Sequence, residues 1–290
     1  MREFVKISKG CARMKMFLKD ASVYKDGGFS KQDILFDNGH IIPSGALTAD
    51  GGSTIPFLNN LFIFLKEMKQ IKYFAVNEEI ENQIKSIRRA IYLSMNGICA
   101  ENIDNSGLEY KQNFGVAWTR LVEIAQNYTQ NYDLAERLWL MSIRETKLLA
   151  TLLCPPQELT AERLTEWVKG ITTIELAEIF AFALLRKTTL TEQVLQLEQS
   201  ENPLLRLAAY HTLARQTANL NTEHLKLAIE HINPQDLDEI SAFRAIESLI
   251  TNITFRTSDL NHIINNKLEE IKSTPTTYSN QLIINIKEFL

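Results

Sequence analysis

A chain of 290 residues, 45% hydrophobic and 23% charged, is long enough to bury a large core, and this composition excludes wholesale disorder. The net charge of −4 offers no general basic surplus, so binding to nucleic acid would require a local cluster of lysine and arginine. Three widely spaced cysteines, Cys11, Cys99 and Cys154, fit neither a disulfide framework nor a paired CxxC site, and they point to a reducing compartment.

The first 65 residues are punctuated by "KDGG", "DNG" and "ADGG", which separate short segments such as "ASVY", "DILF" and "HII". That pattern predicts a short β-rich segment over 1–65, with strands joined by tight turns. The opening "MREFVKISKGCARMKMF" lacks the continuous apolar core of a secretory signal. The longest apolar run, "IPFLNNLFIFL", has eleven residues. A membrane helix needs about 18 or more, so no membrane partner and a cytoplasmic location are expected. Residues 1–74 carry 11 Lys and Arg against 7 Asp and Glu, or +4, while 75–290 carry 20 against 28, or −8.

Beyond residue 75 the pattern becomes helical. Ile80, Ile84, Ile87, Ile91 and Met95 keep one face of "EEIENQIKSIRRAIYLSMNG" apolar, with Gly97 as its expected C-terminal stop. Asn202-Pro203 and Asn233-Pro234 each place a capping residue before a proline at the first helical position, and Thr172 to Glu175 and Thr189 to Glu192 have capping-box spacing. The two Asn-Pro starts lie 31 residues apart, about one helix pair. Successive amphipathic helices with short connections predict a mainly α fold over 75–290. A HEAT-like α-solenoid of antiparallel helix pairs is preferred to a closed bundle, which would show similar periodicity.

Standard catalytic signatures are missing: there is no GxGxxG, P-loop, HExxH or GxSxG. His224 and His231 share a helix face without a third ligand, and are read as packing residues; no metal and no cofactor are expected. Within "LWLMSIRETKLLATLL", read as one helix, Leu138, Met141, Leu148, Leu149 and Leu152 fall within roughly 60° of Glu145 at about 100° per residue. A carboxylate in such a stripe is either a buried tie to a neighbouring helix or an acid with a raised pKa lining a cleft, and the former is preferred. Trp139, Ile143 and Ala150 form a second apolar edge, with Arg137, Arg144 and Lys147 on the remaining side.

The strings "YKQNFGVAWTRLVEIAQNY", "LAERLWLMSIRETKLLATLL", "LTAERLTEWVKGITTIELAEIFAFALL" and "NPLLRLAAYHTLAR" resemble the DNA alkylation repair family of HEAT-like repeat glycosylases over about residues 85–217. The most specific pieces are Asn113-Phe114-Gly115-Val116, the pair Leu138-Trp139 with Glu145 six residues after the tryptophan, and Trp167-Val168. The resemblance implies an alkylpurine DNA glycosylase that binds duplex DNA, releases cationic alkylated purines, and needs no cofactor. In that family the active-site segment resembles Trp-Asp-x-x-Asp; here the corresponding residues are Ile174-Glu175-Leu176-Ala177-Glu178. Glu178 thus stands for the catalytic carboxylate, with Glu175 beside it, and Ile174 stands for the tryptophan. Alternatively, the two glutamates are a first-turn pair favoured by the helix dipole. Arg206 falls where the family has an arginine near the DNA backbone, and Arg144 and Lys147 are further candidates for phosphate. Glu145 and Trp139 are assigned structural roles. A non-catalytic helical-repeat protein, binding a protein or nucleic-acid partner, is the alternative reading.

Residues 14–64, including "MKMFLKDASVYKDGGFSKQDILFDNGHII", resemble the opening strands of dihydroorotase-type amidohydrolases. The metal motif and barrel of that family do not follow, so 1–65 is read as a truncated remnant ahead of the helical domain, 75–290.

Overall fold

The computed structural model describes residues 74 and 77–290 with their side chains, and residues 15–25, 28–37 and 40–43 as extended backbone. The rest of the expected segment 1–65, and the side chains that carry its amidohydrolase resemblance, lie outside the described residues. The chain divides into two units, Met1–Ala75 and Val76–Leu290, and the thirteen α-helices among the described residues belong to the second.

The second unit begins with α1 (Glu78–Leu93), α2 (Gly97–Asn105), α3 (Trp118–Ala125), α4 (Tyr132–Trp139) and α5 (Arg144–Leu153). It continues through α6 (Ala161–Trp167), α7 (Ile174–Ile179), α8 (Thr191–Glu198) and α9 (Pro203–Gln216), and ends with α10 (Thr222–Glu230), α11 (Ile240–Arg256), α12 (Asn261–Ser273) and α13 (Ser279–Lys287). Helices α3, α5, α7, α9, α11 and α13 pack in sequence as one layer. Against it lie α4 on α5 and α8 on α9, with α1 beside α4 and α8, α10 and α12 side by side. This is the two-layer arrangement that stacked helix pairs require, because each pair buries its apolar face only against its neighbours.

Local chemistry sets most helix starts. Asn77, Asn96, Asn131, Thr160, Asn202 and Asn221 each accept a backbone N–H from the first turn of the helix they precede. Several expectations shift in detail. Ile80, Ile84, Ile87 and Ile91 are buried, but Met95 is exposed and Gly97 opens α2 rather than closing α1. Asn233-Pro234 starts a short 3-10 turn, Pro234–Asp238, ahead of α11. Thr173, not Thr172, caps α7, and α8 has no side-chain cap.

The stretch 138–153 is two helices rather than one. Helix α4 stops at Trp139 and α5 starts at Arg144, whose N–H donates to the Gln112 carbonyl at 2.9 Å. Glu145 therefore lies in the first turn of α5, where a carboxylate also complements the helix dipole.

Candidate nucleic-acid interface

Glu145 is fully buried, and its Oε1 accepts from the backbone N–H groups of Phe114 (3.1 Å) and Val116 (3.3 Å) and from Arg144 Nη1 (3.1 Å). Loop 110–116 can present those amides because Gly115 adopts a φ of +67°, and a Cβ there would meet the Asn96 carbonyl oxygen at 2.2 Å. Asn113 holds the loop from the other side, donating to the Ala100 carbonyl and the Asp104 carboxylate while accepting from Gly115 N–H. The Asn113-Phe114-Gly115-Val116 motif is thus a socket for one carboxylate.

Arg144 extends this tie to α7. Its guanidinium donates to both oxygens of Glu175, to Glu145 and to the Val116 carbonyl, which leaves the residue 5% exposed. Tyr110 donates to Glu175 at 2.7 Å and lies 2.8 Å from the Thr173 hydroxyl; burial and the Glu175 charge hold its phenol well above the ordinary tyrosine range. Glu175 and Arg144, expected respectively in catalysis and on phosphate, are bound to each other inside the fold. A guanidinium with its donors taken up internally has no free face for a phosphate.

Lys147 is also turned inward. Its Nζ lies 4.6 Å over the Trp139 ring and donates to the Gly170 carbonyl at 3.2 Å; burial lowers its pKa to about 8. Trp139 stacks on Trp167 at 4.9 Å and donates its indole N–H to the Trp167 carbonyl. Arg206 meets Asp236 through two bonds and also donates to the Ser200 and Glu201 carbonyls, while Tyr210 donates to the same aspartate. Arg144, Lys147 and Arg206, expected on phosphate, thus each fasten one part of the helical stack to another.

Glu178 differs from these residues. Its side chain is 40% exposed, and His211 Nε2 of α9 lies 3.6 Å from Oε1. His211, with the Ser241 hydroxyl and Arg215 nearby, holds the carboxyl below the usual carboxylate range despite partial burial, so it is ionised at neutral pH. Arg215 donates to the His211 carbonyl at 2.8 Å, and its guanidinium lies 5.7 Å from the ring of Phe182. Arg186 lies over the same ring at 4.6 Å. Phe182 is 40% exposed, in the π-helical stretch Phe180–Leu184 that continues α7.

Arg186 and Arg215 then line a shallow cleft with Asn252, Phe255 and Arg256 of α11. All three arginines are exposed, and none is ion-paired with a carboxylate among the described residues. Glu178 of α7, Phe182 and Arg186 of the stretch that follows it, His211 and Arg215 of α9, and Phe255 and Arg256 of α11 therefore share one face. Among the described residues there is no cluster of His, Cys, Asp and Glu that could hold a metal ion, and no helix long and apolar enough to cross a membrane.

Residues 84–253, more than half of the chain, match the family described as DNA alkylation repair enzyme. The chain belongs to this family. Comparison with curated proteins gives no match. Among solved structures, the chain is similar to one described as "A new family of proteins related to the HEAT-like repeat DNA glycosylases with affinity for branched DNA structures". The similarity has a TM-score of 0.52 at 16% identity and covers 64% of this chain and 82% of that one. The DNA alkylation repair chain described here thus has a HEAT-like fold. No sequence motif marks Phe182, Arg186, His211, Arg215 or Arg256 as residues of one site. Phe182 to Arg186 and His211 to Arg215 do have the four-residue spacing of one helix face, but nothing local shows that the two faces meet.

Proposed function

We propose that this family member binds DNA on the α7–α9–α11 face and hydrolyses the N-glycosidic bond of cationic alkylated purines there, with Glu178 as its carboxylate. The supporting observation is the position of an ionised, partly exposed Glu178 beside His211 in the row of Arg186, Arg215 and Arg256. The arginines would take the phosphates on either side of the lesion. The Glu178 carboxylate would stabilise positive charge developing on the deoxyribose and orient water, whose oxygen bonds to C1′ while the purine leaves with the bonding pair; the water's proton passes to Glu178 or to solvent. The alkylated purine starts cationic and leaves neutral, so this chain needs no acid to protonate it.

A second reading, DNA binding without base release, is favoured by Ile174 and Glu175. An aliphatic side chain stands where the family resemblance has a tryptophan, and the neighbouring carboxylate is tied to Arg144 and Tyr110. The similar solved structure, from a family with affinity for branched DNA, fits this reading as well. A protein partner on the same face is the remaining version of the non-catalytic reading. Residues 1–65 are proposed as a separate segment, an amidohydrolase-like remnant.

Incubating the purified protein with duplex DNA containing 7-methylguanine tests the first reading. Base release is expected from the native protein and its loss from Glu178→Ala, with DNA affinity retained. Affinity without release from the native protein would establish the second reading instead.

A further inference from the structure

We infer that Phe182 is a stacking platform for an unpaired nucleotide, so that the DNA preferred by this face carries unpaired bases rather than being continuous duplex. The inference rests on the DNA-binding reading above and adds a substrate class to it.

Phe182 stands out in its surroundings. Phe180, Ala181, Ala183 and Leu184 are buried around it, so the main chain on both sides is held by packing while this one ring faces outward. Its neighbours on the surface are charged: Arg186 lies over the ring at 4.6 Å, Arg215 at 5.7 Å, and Glu178 precedes it by four residues. The π-helical stretch locally widens the helix at this point, a distortion that often accompanies functional positions. Ile174, Glu178 and Phe182 follow one another at four-residue intervals, so an aromatic ring missing on one side of the carboxylate is present on the other.

An exposed aromatic ring among cations is suited to one kind of DNA. In a continuous duplex both faces of each base are covered by its neighbours, and a ring on the protein can reach only backbone and groove edges. An unpaired base offers a free π-face, and stacking on it is tolerant of sequence. Phosphate is a stronger partner for a guanidinium than a benzene ring is. Arrival of a strand would therefore draw Arg186 and Arg215 to the phosphates flanking the base and uncover the ring. The arginines then act on any DNA, whereas Phe182 distinguishes unpaired from paired.

The test measures affinity of the full chain, by fluorescence anisotropy, for a matched duplex and for the same duplex with a bulge of unpaired thymidines. Phe182→Ala should weaken binding to the bulged DNA roughly 5- to 160-fold, the range for losing one base–aromatic stack, and leave binding to matched duplex unchanged. Phe182→Trp should restore the preference, and Arg215→Ala should weaken both. Equal effects of Phe182→Ala on the two DNAs, or none on either, would overturn the inference while leaving the interface standing. A native protein that binds neither DNA would overturn the interface and this inference together. Circular dichroism of each variant shows whether the helices are intact.

Discussion

Glu145 and Glu178 show how two glutamates of one helical stack come to opposite uses. Glu145 has no exposure and three donors on one oxygen, while its Oε2 is buried without a hydrogen-bond partner. Glu178 has solvent on one side and a histidine on the other. Replacing Glu145 by glutamine keeps one carbonyl oxygen for Phe114 and Val116, removes the negative charge facing Arg144, and places an amide donor where no acceptor is available. A loss of about 1–3 kcal/mol is expected, read as a lower urea midpoint, with DNA affinity of the folded protein unchanged. Unchanged stability with abolished DNA binding would instead make Glu145 a functional residue. The Glu178→Ala comparison belongs to the same scale with the opposite expectation: stability preserved, base release lost.

At the scale of elements, α8, α10 and α12 share a buried carboxylate. Glu198 at the end of α8 is fully buried, with His231 Nδ1 at 3.6 Å and neither oxygen hydrogen-bonded. Burial raises its pKa to about 7, although His231 and Lys267 favour the charged form. A carboxyl whose pKa is higher in the folded chain than its ordinary 4.5 stabilises the fold when protonated, and that contribution is lost as pH rises from about 4.5 through 7. Glu198→Gln should therefore raise thermal stability at pH 8 and have little effect at pH 4. The difference has an upper bound of about 3 kcal/mol from roughly 1.36 kcal/mol per pKa unit. A pH-independent effect of the substitution would show that Glu198 does not titrate in this range. At the same scale, Phe182 faces outward from the π-helical stretch Phe180–Leu184 that follows α7, between residues buried on both sides.

The whole molecule is acidic, so its affinity for DNA depends on where its cations lie. Arg137, Arg144 and Arg206 are all taken up in ion pairs that join helices, Arg137 with Glu81 and Asp133, Arg144 with Glu175, and Arg206 with Asp236. Arg186, Arg215 and Arg256 are gathered on one face without such partners among the described residues. Three phosphate contacts predict a slope of roughly −3 when the logarithm of the DNA association constant is plotted against that of salt concentration, and each arginine replaced by alanine should reduce it by about one. A titration series over salt checks this, and a slope insensitive to all three substitutions would place the DNA elsewhere. A second group of cations, Lys85, Arg88 and Arg89 on α1 with Tyr92 and Phe114, is the place to look in that event.

Much of the helical stack was legible because its signals are local. Apolar residues three and four apart, such as Ile80, Ile84, Ile87 and Ile91, bury a face whichever neighbour covers it, and asparagine caps satisfy N–H groups only two or three residues away. The break between Trp139 and Arg144 was not legible. Helical periodicity runs through it, and the bond that anchors the new helix comes from Gln112, thirty-two residues earlier.

The helical class, the family motifs and the burial of Glu145 can be read from the chain alone, since each depends on residue type and spacing along it. Which charges are taken up inside and which face outward depends on how the helices pack. Arg144, Lys147 and Arg206 look no different in sequence from Arg186, Arg215 and Arg256; whether a cation meets Glu175, the Gly170 carbonyl or Asp236 depends on packing between helices distant in the chain. A charge withdrawn from water must be paired, so the buried cations became ties; Arg215 and Arg256 also donate to the His211 and Thr217 carbonyls, but with Arg186 they stay exposed and without a carboxylate partner among the described residues, where a phosphate could reach them.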